Sequence, residues 1–576
     1  MVIVLILAFS KKKGNTIEKD ISNFIKSAWT VVSSSSALWV LVPLAAFGFG
    51  WYMYLGQLLP PMAYDAWDYH LSWAALAHQE RHLGPFDFPW PYLNYFPKNN
   101  DMLFLWSILG SGSERWANIV QGYFGLAAVL SCYVLGRRIG ANRNDALACA
   151  LLILSVPVVL HMQWKAMVDL AVFGGTLVSL TFVAQKRLTF MSCVLSGIMA
   201  GFVAGTKGSA IYMVVAVAFL LIYRLLPLGM HGLKFVKGGK KIRFAIGALS
   251  IWILFTFAFG SYYYIRNWVT TGNPTGYYNV DFAGYRFFEG TEDVDVHFNR
   301  GLLTPKLYDA LEKGPEWPIV LDGFYDPNLF FSQGSRIGGW GPVWTILMLP
   351  AVPIGILWAL IRRRWDVLAL IITCLLPFFL FKYNHTWTRY HLIIIGAGVI
   401  SFVYIISLLR ETKFRSILLG LAAICMLLSI FISGPQDIVT PAGIKAARTA
   451  TYQERDRFIF FNSFGSPEFT AALLSAQEPG TTIALAHRLP SNKTLAAWNP
   501  YYTNRVVWLP WIQPGATWHE KLLEEKVDFI YIAPGTGTER FALSHPELFT
   551  PVYTDTTRGS LLKVIKLTDG GDNNGR

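Results

Sequence analysis

The chain has 576 residues, of which 53% are apolar and 15% charged, against about a quarter charged in an average soluble domain. That balance excludes a disordered chain, a fibrous repeat and an ordinary soluble enzyme, and the long apolar runs make it a polytopic helical membrane protein. A net charge of +13 would suggest nucleic acid in a soluble protein, but the basic residues gather in short loops between apolar runs, so no nucleic-acid partner is expected.

Residues 1–36 are expected to form a cytoplasmic N-terminal segment. Its short apolar start is followed by Lys11, Lys12 and Lys13, the charge order of a signal peptide reversed. A membrane domain is expected over residues 37–433, with about eleven helices by the criterion of ~20 apolar residues per span. The expected spans are Ala37–Leu59, Trp116–Leu135, Ala146–His161, Val168–Ala184, Phe190–Gly205, Ser209–Leu226, Phe244–Tyr264, Val343–Ile361, Val367–Phe381, Leu392–Leu409 and Ile417–Ser433. Lys and Arg mark every second loop: Arg137, Arg138 and Arg143; Lys186 and Arg187; Lys234 to Arg243; Arg362, Arg363 and Arg364; Arg410, Lys413 and Arg415. These loops read as cytoplasmic, which places the chain in an inner or plasma membrane with loops 60–115 and 266–342 on the exported side.

Residues 434–576 then form an exported C-terminal domain. Strand-like runs at Thr482–Ala486, Val506–Trp508 and Phe529–Ile532, a helical run at Trp518–Glu525 and a strand-rich Phe549–Leu567 make it a small α/β unit. The expected fold class is an all-α polytopic membrane domain with this small α/β domain attached. The five cysteines all lie inside apolar runs without a CxxC or zinc spacing, so neither zinc nor redox chemistry is expected; no cofactor is assigned, a divalent metal being left open.

No Asp or Glu falls in the interior of a span; Asp169 sits at the exported end of the fourth. A coupled carrier needs ionisable groups near the midplane, so a lipid or sugar transporter is disfavoured. The acids gather instead in the first exported loop, which opens Tyr64-Asp65-Ala66-Trp67-Asp68-Tyr69-His70-Leu71. Helical spacing continues to about His82, the pattern of an amphipathic helix lying in the interface. Asp65 and Asp68, three residues apart, would share a face. The plain alternative for Asp65 is an acid at a helix N-terminus facing solvent. The aromatic run Phe86–Phe96 fits an interfacial belt or a sugar-binding face, and Lys98-Asn99-Asn100-Asp101 opens another short helix.

The opening Tyr64–Leu71 resembles the "YDA-x-x-YHL" start of the first exported loop in bacterial glycosyltransferases of the GT-C superfamily, near the protein O-mannosyltransferases and aminoarabinose transferases. Asn94-Tyr95-Phe96-Pro97 with Asp101-Met102-Leu103 is similar to their "Y-x-P … E-L-L", Asp101 standing for the usual Glu. Val168-Asp169-Leu170, Gly201 to Lys207, Arg266-Asn267-Trp268 with Thr271 to Pro274, and Arg389-Tyr390 resemble four further motifs, in order, over about the first 410 residues.

The resemblance implies transfer of a sugar from a polyprenyl-phosphate carrier to a hydroxyl-bearing acceptor (a lipid, an envelope glycan or a protein) at the exported face of the bilayer. Asp65 would be the general base. Asp68 or Asp169 would orient the acceptor or stabilise positive charge on the sugar. Tyr69, His70 and Asp101 would bind substrate. Lys207 and Arg389 would stabilise the phosphate leaving group, with Lys165 and Arg266 behind them. A superfamily member that has lost activity and serves as a scaffold in envelope glycan assembly would carry much the same sequence.

Overall fold

The computed structural model describes residues 29–226, 240–290, 339–380, 388–433, 478–487, 502–509 and 516–565, apart from a few short gaps, with isolated residues between these stretches. The readings made for the N-terminal segment and for most of loop 266–342 lie outside the described residues.

The membrane part is built from helices in chain order. They are α1 (Ser36–Leu58), α2 (Leu71–Glu80), α3 (Asp101–Ser111), α4 (Val120–Arg138), α5 (Arg143–Leu151), α6 (Pro157–Gln163), α7 (Asp169–Val183), α8 (Phe190–Ala204), α9 (Ile211–Leu225), α10 (Lys240–Gly260), α11 (Tyr262–Thr271), α12 (Leu349–Ile361), α13 (Trp365–Leu380), α14 (Ile393–Leu408) and α15 (Lys413–Ile432). Each expected span coincides with one or two of them. Among the described residues six helical stretches are long and apolar enough to cross a membrane, and the α5–α6 pair, bent by 71°, is either a broken span or a re-entrant loop. The bend falls at Pro157, which cannot donate to the preceding turn. α7, α8, α13 and α14 run 15 or 16 residues, or ~24 Å at ~1.5 Å per residue, short of the ~30 Å hydrocarbon core. α7 and α14 start late, α7 at Asp169 itself and α14 just after the polar turn Thr388–His391. With so many apolar helices, the chain is a multi-pass membrane protein.

Small residues set the closest helix packing. A Cβ on Gly201 of α8 would lie 2.5 Å from the Thr256 carbonyl oxygen of α10, the close backbone approach that small residues permit between membrane helices. The outer side of α10 presents Ile242, Ile246, Ile253, Leu254 and Phe257 as exposed apolar side chains.

The basic loops meet at one end of the bundle. Ser34, just before α1, exchanges hydrogen bonds with Asn144, Arg364 donates to the Ile139 carbonyl, and Arg415 pairs with Asp145. The other end of α1 is tied to Asn118, whose amide donates to the Leu59 carbonyl at 3.0 Å. At ~1.5 Å per residue, the 23 residues of α1 separate these two ends by ~35 Å.

The C-terminal residues form β1 (Thr482–Leu485), β2 (Arg505–Trp508), α16 (Ala516–Glu524), β3 (Phe529–Ile532), α17 (Gly537–Ser544), β4 (Phe549–Asp555) and β5 (Gly559–Val564). The sheet order is β2-β1-β3-β5-β4, with β1 parallel to both β2 and β3 and β5 antiparallel to both β3 and β4. Pro534 to Gly537 is a strand-to-helix turn in which Thr536 caps α17 by accepting from the Glu539 N–H.

Candidate active site

The chain between α1 and α2 places the first acid. Residues Ala66–His70 form a π-helical turn, with Asp65 preceding it and α2 following directly. Such i→i+5 turns are rare and occur mostly at functional sites. The turn is wider than the 3.6-residue helix expected through Asp65 and Asp68. Asp65 faces Arg389, with its Oδ2 2.7 Å from Arg389 Nη2. Asp68 is 1% exposed and acts on Lys98. α2 also departs from the two-faced helix expected in the interface. It ends at Glu80, and Leu71 to Ala77 are buried all round.

A second ion pair lies beside the first. Asp169 is the first residue of α7, where a carboxylate suits the helix dipole. Its Oδ1 is 2.7 Å from Lys207 Nζ, and Lys207 Nζ lies 3.8 Å from the Tyr390 ring centre. Asp169, Phe173, Lys207, Arg389 and Tyr390 line one cleft. Lys207 reaches it from the short turn between α8 and α9. That turn is pinned where the Asn99 N–H donates to the Gly205 carbonyl at 2.8 Å. Gly205 is needed there, because a Cβ would lie 2.2 Å from the Asn99 side chain.

A third cluster adjoins them. His70 Nδ1 is 2.8 Å from Asp101 Oδ1, and Lys98 Nζ is 3.3 Å from Asp101 Oδ2. Lys98 is completely buried, donates to the Tyr92 carbonyl at 2.9 Å and lies 5.0 Å from the Tyr69 ring centre. The clusters are bridged by Gln121, which points inward from the apolar α4. Its amide donates to Asn100 Oδ1, and its carbonyl accepts from the Ala171 N–H in the first turn of α7, both at 3.0 Å.

These contacts set the charges. Burial pushes the Asp65 carboxyl up, but Arg389, His70 and Lys207 outweigh it and hold Asp65 below the usual carboxylate range. Burial lowers Lys207, against the pull of Asp169. Lys165, just past α6, carries no carboxylate partner among the described residues. Burial first and Arg389 second push it down to about 8. Arg266 on α11 stacks 4.6 Å from the Tyr263 ring and donates Nη2 to Asn267 Oδ1 at 3.0 Å. Its Nη1 is buried with no hydrogen-bond partner among the described residues.

The structure therefore gathers Asp65, Asp169, Lys207 and Arg389 at one cleft, with Tyr69 coupled to Asp65. It gathers His70 and Asp101 in the adjoining cluster, near Asp68 and Arg266. Lys165 stands apart, without a bond to any of them. Sequence reasoning missed Lys98, Tyr390 and Gln121. For Lys98 the available signal was its i, i+3 spacing to Asp101; a lone Gln in an apolar span was the signal for Gln121. Among the described residues there is no group of three or more His, Cys, Asp or Glu able to hold a metal ion.

No family model matches the chain, and no curated protein sequence does. Solved structures do. ArnT from Cupriavidus metallidurans in the apo state matches with a TM-score of 0.53 at 12% identity, over 92% of this chain and 98% of that one. The same protein bound to undecaprenyl phosphate gives 0.54 at 11% identity, over 92% and 99%. The chain has the fold of ArnT. A looser likeness, with a TM-score of 0.42 at 14% identity over 87% of this chain and 69% of that one, links it to the archaeal oligosaccharyltransferase AglB from Archaeoglobus fulgidus.

Proposed function

We propose that this GT-C chain is a membrane glycosyltransferase that moves a sugar from a polyprenyl-phosphate carrier to a hydroxyl acceptor at the exported face. The observation that carries the reading is the pair of acid–base couples, Asp65–Arg389 and Asp169–Lys207, in one cleft at the end of the bundle away from the basic loops. The structural likeness to ArnT, which has been seen with undecaprenyl phosphate bound, supports the choice of carrier.

The chemistry follows from the charges. The acceptor oxygen attacks the anomeric carbon, and its proton passes to Asp65. The bond from that carbon to the phosphate oxygen breaks, and its electron pair stays on the phosphate. Arg389 keeps Asp65 ionised and therefore weakly basic. A weak base suffices, because the hydroxyl becomes acidic only as its bond to the oxocarbenium-like sugar forms. Asp169 faces the positive charge that develops on the sugar. Lys207 and Arg389, with Lys165 and Arg266 further out, offer cations to the leaving phosphate.

The test is a transfer assay on the purified protein in lipid, with a panel of polyprenyl-phosphate sugars, comparing the natural chain with Asp65→Asn. We expect transfer from at least one donor, lost by ~10³-fold in the folded variant. Transfer that survives the substitution would move the base elsewhere. No transfer and no release of sugar to water from any donor would favour a scaffold.

A further inference from the structure

His70 has a geometry that substrate binding alone does not use. Asp101 only accepts, so the ring must give it the Nδ1–H at 2.8 Å. In the neutral ring this leaves the lone pair on Nε2. The other oxygen of Asp101 faces the buried Lys98 ammonium at 3.3 Å, so Asp101 is already compensated and takes from His70 a hydrogen bond rather than a charge. Nε2 is buried, and no described residue completes it. Burying such an atom unpaired costs ~1–3 kcal/mol, and a native protein that keeps an orphan of this kind needs a reason for it. The π turn supplies one. It sets Asp65 and His70 at the two ends of one i→i+5 turn, and His70 is among the groups that act on the Asp65 carboxyl.

We propose that His70, fixed by Asp101, is the relay that clears the proton from Asp65 after each transfer, an inference that rests on Asp65 being the base. Once Asp65 has taken the acceptor proton, its carboxyl is neutral and Arg389 has lost its counter-charge. The Asp65 O–H bond then breaks and an N–H bond forms at His70 Nε2, directly or across one water. The carboxylate and its pair with Arg389 are restored, and the imidazolium is held by Asp101. The imidazolium then gives the Nε2 proton to water. His70 acts through Asp65 and is a positioning and relay residue. Asp101 faces it from the start of α3, with Lys98 on the other Asp101 oxygen and Asp68 acting on Lys98; Asp65 stands in its own segment, with Arg389 and Lys207 acting on Asp65.

The experiment measures kcat and KM against pH for the natural chain, His70→Gln, His70→Ala with and without added imidazole, and Asp101→Asn, all in lipid. We expect His70→Gln to lose ~10²-fold in kcat with KM within about twofold. Its pH–rate profile should also change shape. Imidazole should restore His70→Ala by tenfold or more, and Asp101→Asn should share the kcat loss. An unchanged pH profile in His70→Gln, or a loss confined to KM, overturns the relay. Asp65→Asn measured beside them separates the two ideas. Full transfer in Asp65→Asn refutes the base and the relay together. A dead Asp65→Asn beside a His70→Gln with natural kcat and pH profile refutes the relay alone.

Discussion

Both ends of the helical bundle bury an acid against an arginine, and they use it differently. At the end where the basic loops meet, Asp145 is 1% exposed and every one of its oxygens is answered. Arg415 bonds Oδ1 through Nε and Nη2, and the Asn142 amide donates to Oδ2 at 2.7 Å. Asn142 in turn accepts from the Asp145 N–H and caps α5. Nothing is left over, and that cluster joins α5 to α15. At the other end Asp169 Oδ2, His70 Nε2 and Arg266 Nη1 are buried with no hydrogen-bond partner among the described residues. A closed network stabilises the fold. An open one at comparable depth is a place where a ligand completes the pattern. Burial and charge alone do not separate the two acid clusters; the unanswered atoms within them do.

The largest effects should come from cutting one pair at each end. Arg389→Met leaves Asp65 buried without its main counter-charge, so burial then raises its pKa. Transfer should fall by ~10²- to 10³-fold. What remains should fall further as the pH drops, because the carboxylate is now lost at a higher pH than in the natural chain. Arg415→Met removes the partner of Asp145 and should cost ~3 kcal/mol of stability, read as a lower unfolding midpoint in detergent. Its rate per folded molecule should stay natural. A large kinetic defect in Arg415→Met, with the fold retained, would break the distinction between the ends.

Lys165 sharpens the comparison through pH. A lysine held at about 8 is charged below that pH and loses its charge as the pH rises through it. If it helps to hold the donor phosphate, the KM for donor should rise about tenfold between pH 7 and pH 9.5, ~1.4 kcal/mol of lost attraction. Lys165→Arg keeps its charge over that range and should flatten the rise. A rise that persists in Lys165→Arg would assign the titration to another group.

What could be read from the sequence divides along the same physical line. A helix that must satisfy its own backbone in lipid announces itself by apolar length, so α1, α10 and α15 were legible from composition. Strands of the C-terminal sheet, such as Phe529–Ile532, showed as short apolar runs between turns. The acids near the span ends were visible as charge in the wrong place. The partners of those acids were not visible. His70 and Asp101 are 31 residues apart, and Lys207 and Asp169 are 38 apart, so only the packing of α3, α7 and α8 brings them together. The π turn after Asp65 left no pattern in the sequence. The helical spacing from Leu71 to Ala77 suggested a helix with one apolar side. In the structure Leu71 to Ala77 are buried on every side, and α3 packs against that helix.

The smallest effect should come from the contact that holds the sheet there. Gln79, near the end of α2, acts as a strand partner for β2. Its Nε2 donates to the Val506 carbonyl at 2.9 Å, and its Oε1 accepts from the Val506 N–H at 2.8 Å and from Trp498 Nε1 at 3.2 Å. Phe88 packs against Trp508 beside it, with ring centres 6.0 Å apart. Gln79→Ala leaves the buried Val506 N–H unanswered and should weaken docking by ~1–3 kcal/mol. The measurement is hydrogen exchange over residues 502–509, where protection should drop by ~10-fold or more. The unfolding midpoint of the membrane helices should move little. Gln79→Glu is the informative control. It keeps the acceptor for the Val506 N–H but loses the donor to the carbonyl, so its exchange should fall between the natural chain and Gln79→Ala. If both variants match the natural chain, the aromatic contact of Phe88 with Trp508 holds the sheet on α2 without the amide.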